Sequence, residues 1–451
     1  MKRSICLFIL GMCGMHAFLC TAQGPLTPGA APVPTMRTLD EVEPRGMIKS
    51  VPYVITQSGA YYFTTNLVCA ATGLDGIDVQ SDDVTIDMRG FTLYGPGKSS
   101  GNGIRCAFKN LTVLNGRVVA WLGPDPVGSN TAGINVSGPM AIVRDVTAEH
   151  NDKGVAVSAG ARLETVAAFD NTTAGISAGH SCVFEACRAV SNGGDGLFTG
   201  PASVVARCTA RGNGGNGIHT VANGLHASCT TIRECAAQYN AGDGILAENG
   251  GHVISCVTDS NGPGTEPSLS NNGIHLTYVL PVEGRRRAGS IVRDCAANNN
   301  GGNGILVARD TLLTGNSCSG NGLAVSVTGL YPCYAGIYAQ GDNNRIENNR
   351  TSDNLGFIGQ PIADGIRVDG NCNRIEANHS SGNTMYAYDI TGAANFIARN
   401  LSYGYMQTCD YFIVNGNTVG PIIIMPVTGA IIPPLAVTTV GTTDPWANFD
   451  D

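Results

Sequence analysis

The chain has 451 residues, of which 60 are glycine, 14% are charged and 6% are aromatic. A disordered chain would carry more charge and fewer aliphatic residues, so this composition favours a folded, turn-rich protein with an aliphatic interior. With a formal net charge of −8, we expect no nucleic-acid partner.

Residues 1–22 are predicted to form a secretory signal peptide. The cationic residues Lys2 and Arg3 precede an apolar stretch from Ile5 to Leu19, and small residues follow at the expected cleavage site. The stretch is too short for a stable membrane span, and no other run of this kind occurs. We therefore expect no transmembrane segment and a secreted, extracellular or periplasmic location.

Two short segments precede the main pattern of the chain. Residues 23–39 are rich in proline and threonine, which predicts a flexible leader. Residues 40–75 contain alternating strand-like segments at Tyr53–Thr56 and Tyr61–Phe63. We predict that residues 40–75 form an N-terminal cap, because an uncapped repeat domain would expose its interior and its strand edges.

Residues 76–400 contain a repeated dipeptide of glycine and an aliphatic residue. In the middle of the chain its interval is a constant 21 residues: Gly133-Ile134, Gly154-Val155, Gly175-Ile176, Gly196-Leu197 and Gly217-Ile218. A repeat this short predicts a solenoid. Counted from the glycine, aliphatic residues fall at +1, +3 and +9, a small or sulfur-bearing residue at +12, and asparagine at +17.

This pattern alternates with a period of two over three or four residues and is then broken by Gly, Asn, Asp or Ser, which indicates short strands and turns. The sequence therefore predicts an all-β fold. Specifically, it predicts a single right-handed parallel β-helix of about twelve coils, with an N-terminal cap and a C-terminal strap. Residues 401–451, with the segment Ile422 to Val440, are assigned to that C-terminal cap and strap.

Three columns of like residues are expected to stack along the solenoid. The cysteines at +12 are predicted to form an inward ladder of small apolar side chains: Cys187, Cys208, Cys235, Cys256 and Cys295. Disulfides between successive coils remain an alternative. The asparagines at +17 are predicted to form a turn ladder. The Asn or Asp before each glycine is interpreted as a turn residue, although a row of carboxylates also suits Ca²⁺.

Insertions into the repeat indicate where a functional site lies. One class falls before the repeat glycine: Trp121 to Thr131, Gly262 to Asn271, Gly322 to Ala335, and Leu355 to Ala363. A second class falls just after the same strand, at Val221 to Thr231 and Tyr278 to Ser290. Loops on both sides of one strand column would form the walls of a groove, and the outward residues at +2 and +4 would form its floor.

The predicted floor becomes rich in titratable and aromatic residues in the later coils. The candidate catalytic residues are His275, Tyr338 and Arg367. The candidate substrate-binding residues are His219, Glu248, Asp369 and the cationic run Arg285, Arg286 and Arg287. An alternative for each histidine is a plain polar surface residue, and for the arginine run a solvated loop tip. No metal site is predicted.

The segment Pro52-Tyr53-Val54-Ile55-Thr56 and the first coil from Asp83 to Leu93 accompany this coil pattern. Together they resemble secreted bacterial members of the pectin-lyase-like superfamily of right-handed β-helix proteins, over residues 50–400. The closing Pro445 to Phe449 is similar to a terminal signature of the same group. The resemblance implies a carbohydrate ligand, since the superfamily includes polysaccharide lyases, polygalacturonases, epimerases, tailspikes and adhesins.

The catalytic motifs of these enzymes are missing. The Asn-Thr-Asp, Gly-His-Gly and Arg-Ile-Lys motifs of polygalacturonases and the Asp-Pro-His motif of epimerases do not occur. Two hypotheses therefore stay open: a secreted enzyme that cleaves polysaccharide as a lyase or hydrolase, and a noncatalytic surface protein that binds a polysaccharide or cell-envelope glycan. A third hypothesis is a role like that of the periplasmic β-helix proteins that help mature copper enzymes, which this chain also resembles. It ranks last, because the sequence contains few clusters of Met or His residues.

For a lyase acting on uronates, Arg367 would neutralise the sugar carboxylate and Tyr338 or His275 would act as the base. This hypothesis requires no cofactor, and Ca²⁺ is an optional alternative to the arginine.

Overall fold

The computed structural model describes residues 44–98, 100–123, 131–222, 229–248, 250–262, 271–277, 289–323, 334–356, 363–404, 410–424 and 445–450. Residues 45–451 form one compact unit. Within the described ranges, its secondary structure consists of short strands in two sheets, one of 15 strands and one of 30. No helix capable of spanning a membrane occurs in the described part of the chain.

We call the smaller sheet the glycine sheet, because its strands follow the repeat glycines. Its strands are Tyr53–Ile55, Ile77–Val79, Ile104–Cys106, Ala132–Val136, Lys153–Val157, Ile176–Ala178, Leu197–Thr199, Ile218–Thr220, Ile245–Ala247, Ile274–Leu276, Ile305–Val307, Tyr334–Ala339, Ala363–Val368, Tyr388–Ile390 and Tyr411–Ile413.

The larger sheet contains two columns of strands. The first column consists of Gly46–Ile48, Gly59–Phe63, Val84–Asp87, Thr112–Trp121, Ile142–Glu149, Arg162–Glu164, Val183–Glu185, Val204–Ala206, Thr231–Arg233, His252–Ile254, Ser290–Arg293, Thr311–Thr314, Arg345–Glu347, Arg374–Glu376, Phe396–Ala398 and Thr418–Val419. The second consists of Leu67–Val68, Thr92–Gly97, Ala167–Phe169, Arg188–Val190, Thr209–Arg211, Ala236–Gln238, Val257–Asp259, Ala296–Asn298, Ser317–Ser319, Arg350–Ser352, His379–Ser381, Leu401–Tyr403, Asn448–Asp450 and Ile422–Ile424. Thr112–Trp121 and Ile142–Glu149 are long enough to contribute to both columns.

Each strand pairs in parallel with the equivalent strand of the next coil, so that residues one repeat apart become neighbours. Val155 pairs with Ile176, and Ile176 pairs with Leu197. All three side chains are at most 1% exposed and point into the coil. The predicted parallel β-helix is therefore confirmed, with its core formed by the aliphatic positions at +1, +3 and +9.

The repeat glycine is required by the close approach of successive coils. A Cβ atom on Gly175 would lie 2.7 Å from the carbonyl oxygen of Gly196 and 2.7 Å from the Nδ2 of Asn192. Because the carbonyl belongs to the backbone, it cannot move aside as a flexible side chain would. A side chain at this position would force adjacent coils apart.

Single residues in the left-handed region form two corners of each coil. In the coil of Gly154 they are Thr165, with φ of 49°, and Asp170, also with φ of 49°. In the next coil they are Ala186 and Ser191, with φ of 53° and 55°. The Asn and Asp residues before the repeat glycines, which are interpreted above as turn residues, do not have positive φ among the described coils. Their side-chain oxygens accept backbone N–H groups of the next coil, as Asp195 Oδ1 does from Asn216.

The asparagines at +17 form the predicted ladder. The Nδ2 of Asn171 donates to Ala148 O at 3.2 Å and to Asn192 Oδ1 at 2.8 Å, and that same Oδ1 accepts the backbone N–H of Asn171. The ladder continues through buried residues at Asn151, Asn171, Asn192, Asn213, Asn240, Asn261, Asn300, Asn321, Asn354 and Asn383. Each side chain thus satisfies buried backbone groups at a corner that lacks sheet pairing.

The cysteine column is also present, and its members are free thiols. The backbone N–H of Cys187 donates to the Sγ of Cys208 at 3.4 Å, and Cys208 donates to Cys235 in the same way. After Cys295 the column continues with amides, because the N–H of Cys295 donates to Asn316 Oδ1 at 3.0 Å. All cysteines in the described part of the chain are free, so the disulfide alternative is not found there.

The described ends of the chain continue the coil pattern. Tyr53–Ile55 pairs in parallel with Ile77–Val79, so this part of the predicted cap is itself a strand of the glycine sheet. At the other end, Asn448–Asp450 pairs with Leu401–Tyr403 on one side and with Ile422–Ile424 on the other. The remainder of the predicted strap, residues 425–440, lies outside the described residues.

Candidate functional site

The outer face of the glycine sheet in the later coils carries a single row of side chains in register. We call this row the groove floor; its members are Phe198, His219, Leu246, His275, Leu306, Tyr338, Arg367, Asp389 and Phe412. Residues on either side of each member in the strand point inward, as alternation requires. Successive members are about 4.8 Å apart. Leu306 and Asp389 are buried, and the other seven members are partly or fully exposed, so the floor presents aromatic, aliphatic and polar groups along one line.

The described ends of the insertions lie at the two sides of this sheet. Insertions of the first class end where glycine-sheet strands begin, at Ala132–Val136, Ile274–Leu276, Tyr334–Ala339 and Ala363–Val368. Insertions of the second class begin where strands Ile218–Thr220 and Ile274–Leu276 end. Most residues within the insertions, including Arg285, Arg286 and Arg287, lie outside the described residues. Their predicted role in walling the groove and binding substrate remains a prediction.

Two histidines of the floor each pair with a carboxylate of the preceding coil. The Nδ1 of His219 lies 2.7 Å from Asp195 Oδ2, and the Nδ1 of His275 lies 2.9 Å from Asp243 Oδ2. Burial alone would raise the pKa of Asp195, but hydrogen bonds from His219 and Asn216 lower it below its usual value. Because an ionised carboxylate can only accept hydrogen bonds, Nδ1 is the donor in each pair, and Nε2 is the ring nitrogen that remains for contact with a ligand.

Farther along the floor, Tyr338 and Arg367 converge on Asp369. The hydroxyl of Tyr338 donates to Asp369 Oδ2 at 2.5 Å, the Nε of Arg367 donates to Asp369 Oδ1 at 3.0 Å, and the hydroxyl of Thr391 donates to the same Oδ1 at 2.7 Å. The guanidinium also lies over the Tyr338 ring, 5.2 Å from its centroid. Three donors and one positive charge therefore surround a single carboxylate.

These contacts shift the pKa values of all three main groups. Burial would raise the pKa of Asp369, but hydrogen bonds from Arg367, Tyr338 and Thr391 lower it, so the carboxylate is ionised. Burial, together with the adjacent Asp369, raises the pKa of Tyr338 to about 12. Burial would lower the pKa of Arg367, but Asp369 raises it, so the guanidinium keeps its charge.

A second pair of carboxyl groups, Asp364 and Asp389, lies beside this cluster. Asp364 is 0% exposed and Asp389 is 7% exposed. Burial and the charge of Asp389 raise the pKa of Asp364 to about 8. Burial also raises the pKa of Asp389, against the effect of Arg367, whose Nε lies 3.9 Å from Asp389 Oδ2. The pair therefore holds a proton near neutral pH.

The Asp364 and Asp389 contact is a variant of one that recurs along the sheet. In the other instances an acid before the glycine of one coil faces a basic side chain at +2 of the next coil: Asp75 with Arg105, Asp195 with His219, and Asp243 with His275. At Asp364 the +2 residue of the next coil is an acid, Asp389. The substitution of an acid for a base explains why the two carboxyl groups share a proton instead of forming an ion pair.

A family profile described as the right handed beta helix region matches residues 75–230 and 223–402, which is most of the chain. The chain belongs to the right-handed β-helix family. The handedness expected from the sequence agrees with this assignment. None of the curated proteins matches this β-helix chain in sequence.

Several solved structures are similar in fold. The Dettilon tailspike protein is 13% identical with a TM-score of 0.47, and the match covers 72% of this chain but only 61% of the tailspike. The A-module of an Azotobacter vinelandii mannuronan C-5 epimerase is 15% identical, with coverage of 80% and 91% and a TM-score of 0.40. The tailspike of the E. coli bacteriophage HK620, solved with a hexasaccharide, is 11% identical, with coverage of 81% and 72% and a TM-score of 0.40. These similarities concern the β-helix fold alone.

The β-helix brings some of the predicted site residues together and separates others. Tyr338, Arg367 and Asp369 form one cluster, whereas His275 lies two strands from Tyr338, with buried Leu306 between them. Glu248 accepts the backbone N–H of Ala222 at the start of an insertion. In the described part of the chain, no group of three or more His, Cys, Asp or Glu side chains is arranged to hold a metal ion.

Four site residues were not identified from the sequence. Asp195 and Asp243 were interpreted as turn residues, although each also orients a histidine. Asp364 has the same position before its repeat glycine, and the sequence pattern does not indicate Asp389, because alanine replaces the repeat glycine of its coil. The available signal was the spacing: an acid before one glycine and a titratable residue at +2 of the following coil.

Proposed function

We propose that the protein binds a polysaccharide along the groove floor. The proposal rests on the row from Phe198 to Phe412, which combines ring, aliphatic and hydrogen-bonding side chains and is interrupted at the surface by buried Leu306. Sugar rings present an apolar face and a rim of hydroxyl groups, so they suit this mixture of surfaces. A ligand that repeats along its length suits a row that repeats along the axis.

The two histidines support this proposal most directly. His219 and His275 lie two strands apart, which corresponds to about 10 Å, a suitable distance for contacts with successive parts of one chain ligand. Their imidazoles are held by Asp195 and Asp243, so little side-chain entropy is lost on binding. Each Nε2 is then able to form a hydrogen bond with a sugar hydroxyl, which can both donate and accept.

Elimination from a uronate is less well supported than binding. Arg367, the predicted cation, is already paired with Asp369 and lies near Asp389, so it offers little net positive charge to a sugar carboxylate. Tyr338, a predicted base, keeps its proton at neutral pH because its pKa is about 12. His275 remains the predicted base for a lyase. The noncatalytic alternative is a binding surface without turnover.

Affinity electrophoresis and calorimetry against a panel of neutral and acidic polysaccharides would test the proposal. We expect the double variant His219→Ala, His275→Ala to have a dissociation constant about tenfold higher or more. The reason is the loss of two hydrogen bonds of about 0.7–1.5 kcal/mol each. Ser177→Ala, on the same face in an early coil, serves as the matched control. Failure of the wild-type protein to bind any member of the panel would contradict the proposal.

A further inference from the structure

The last described coil is completed by a segment from farther along the chain. A column of buried amides leads to this coil: Asn316, Asn349, Asn378 and Asn400. The side-chain oxygen of each later member accepts the backbone N–H of the member before it. Asn378 and Asn400 are 22 residues apart, and the strands of the next coil keep that interval, so the next member would be Ile422. Isoleucine cannot accept these hydrogen bonds, and Asn448 takes the position instead.

Asn448 is held through both polar atoms of its side chain. Its Oδ1 accepts the backbone N–H of Asn400 at 3.0 Å and the Nδ2 of Asn400 at 3.2 Å. Its Nδ2 donates to Gly420 O at 3.0 Å and to Ile397 O at 3.4 Å. Its backbone N–H donates to Pro421 O at 2.6 Å. The residue is 0% exposed, so loss of these contacts would leave buried polar groups unsatisfied.

The two residues before Asn448 also fit closely against the coil. Ala447 is 2% exposed, where a larger side chain would have little room. The carbonyl of Trp446 accepts the backbone N–H of Arg399 at 3.4 Å. The Trp446 ring meets the Phe396 ring edge to face, with centroids 5.7 Å apart, and the Arg399 guanidinium lies 5.2 Å from the Trp446 centroid. An aromatic, a small and an amide side chain therefore follow one another in a specific order.

We call residues 445–450 the closing segment and residues 396–424, which contact it, the slot. The strand Asn448–Asp450 lies between Leu401–Tyr403 and Ile422–Ile424 and pairs in parallel with both. A Cβ atom on Gly420 would lie 1.9 Å from the carbonyl oxygen of Trp446, so this glycine permits the closing segment to enter. The contact partners named above all belong to the slot. A short extended segment thus carries its own recognition elements, whichever copy of the chain it belongs to.

We propose that the slot also binds the closing segment of a second copy of this chain, so that two copies exchange their closing segments and form a dimer. The contacts in the exchanged dimer are the same as those within one chain, which makes exchange a low-cost route to association. Both slots lie at the same end of their solenoids, so reciprocal exchange closes the pair and leaves no unfilled slot.

The length of the connection sets the concentration at which exchange competes. Residues 425–444 join the slot to the closing segment, and a chain of about 20 residues reaches at most about 70 Å. Tethers of this length hold a segment at an effective concentration on the order of 1 mM. We therefore expect the exchanged dimer to be a minor species at about 10 µM and to equal the monomer near about 1 mM.

Two full-length variants with complementary defects test the exchange. Asn448→Ala damages the closing segment and leaves the slot intact, whereas Gly420→Ala damages the slot and leaves the closing segment intact. Each change is expected to weaken occupancy of the slot within one chain about tenfold or more. When the two variants are unfolded, mixed and refolded at about 10 µM, we expect native mass spectrometry to detect a dimer with one copy of each. A mixture with no more dimer than the separate variants would overturn the proposal.

A synthetic peptide shows whether that dimer is joined through the slot. The peptide with the sequence of residues 445–450, added at about 1 mM during refolding, should reduce the mixed dimer. The matched peptide with alanine in place of Asn448 should leave it unchanged. An equal effect of the two peptides would place the association elsewhere and overturn the proposal.

The wild-type protein gives a measurement that does not depend on how the variants fold. Copies with light and heavy isotope labels are refolded together at about 10 µM and at about 1 mM. Because the effective concentration is on the order of 1 mM, dimers that contain both labels should rise from about 1% to about half of the protein. The absence of mixed dimers at the higher concentration, or an equal fraction at both, would overturn the proposal.

Discussion

Removal of one ladder asparagine should destabilise the protein far more than removal of its exposed neighbour. Asn171 is 1% exposed, and its Oδ1 accepts the backbone N–H of Asn151 at 3.0 Å and the Nδ2 of Asn151 at 3.2 Å. Asn171→Ala leaves the backbone N–H of Asn151 and one N–H of its Nδ2 without an acceptor, while the other N–H of that Nδ2 keeps Val118 O. At about 1–3 kcal/mol for each unsatisfied group, the expected loss is about 2–6 kcal/mol.

The matched control is Thr172→Ala, because Thr172 is adjacent in sequence but has an exposed side chain. Its expected cost is below about 0.5 kcal/mol. The assay is urea unfolding followed by circular dichroism, with hydrogen exchange at the amide of Asn151 as a local measurement. A solenoid can unfold in parts, so a change confined to the exchange of nearby coils would still support the argument. Equal midpoints and equal exchange rates for the two variants would refute it.

Three further predictions concern the acid pair, the thiols and the repeat glycine. Because the pKa of Asp364 is about 8 in the fold and about 4 when unfolded, the native state holds an extra proton between these pH values. Stability should therefore fall as pH rises through this window, by up to about 1.4 kcal/mol per unit, and Asp364→Asn should flatten the slope in pH-dependent urea titrations; an unchanged slope would contradict the shift. Cys229 and Cys372 are exposed, so a maleimide should label them in the native protein well before the buried column, as mass spectrometry of peptides can determine; equal labelling of buried thiols would contradict the packing. Gly175→Ala should lower the midpoint of urea unfolding, because its Cβ would meet a backbone carbonyl at 2.7 Å, whereas an unchanged midpoint would show that the coils can separate.

The sequence was sufficient to predict the coil because the same geometric constraint acts in every repeat. Each repeat position meets the same structural requirement in neighbouring coils. The requirement is close backbone approach at Gly175, an inward aliphatic side chain at Ile176 and a hydrogen-bonding amide at Asn192. A constraint that recurs at a fixed interval is visible as a periodic pattern. Fold class, the orientation of strand faces and the asparagine and cysteine columns could therefore be derived from spacing alone.

The site could be predicted only in part because its contacts do not recur in the same way. Alternation identified His219, His275, Tyr338 and Arg367 as outward residues, but it could not identify the acid that each one contacts across coils. The insertions change the number of residues between coils, so partners such as Asp243 and His275, 32 residues apart, show no fixed interval.

The acid pair of Asp364 and Asp389 is not visible in the repeat pattern for a local reason. Alanine at position 387 replaces the glycine that marks each coil, so the periodic signal is absent where the acid pair forms. The raised pKa of the pair depends on burial and on the mutual approach of two side chains. Neither quantity can be obtained from a single sequence.

The amide ladder has a consequence for how ligand preference can diverge. Asn171 and Asn192 are 21 residues apart and Asn261 and Asn300 are 39 apart, yet their Nδ2 to Oδ1 distances are 2.8 and 2.9 Å. The number of residues between successive ladder asparagines therefore does not affect the hydrogen bond between their side chains. Mutations can therefore lengthen, shorten or replace the loops between coils without changing the stacked interior. New ligand specificities can arise on this scaffold while the fold stays the same.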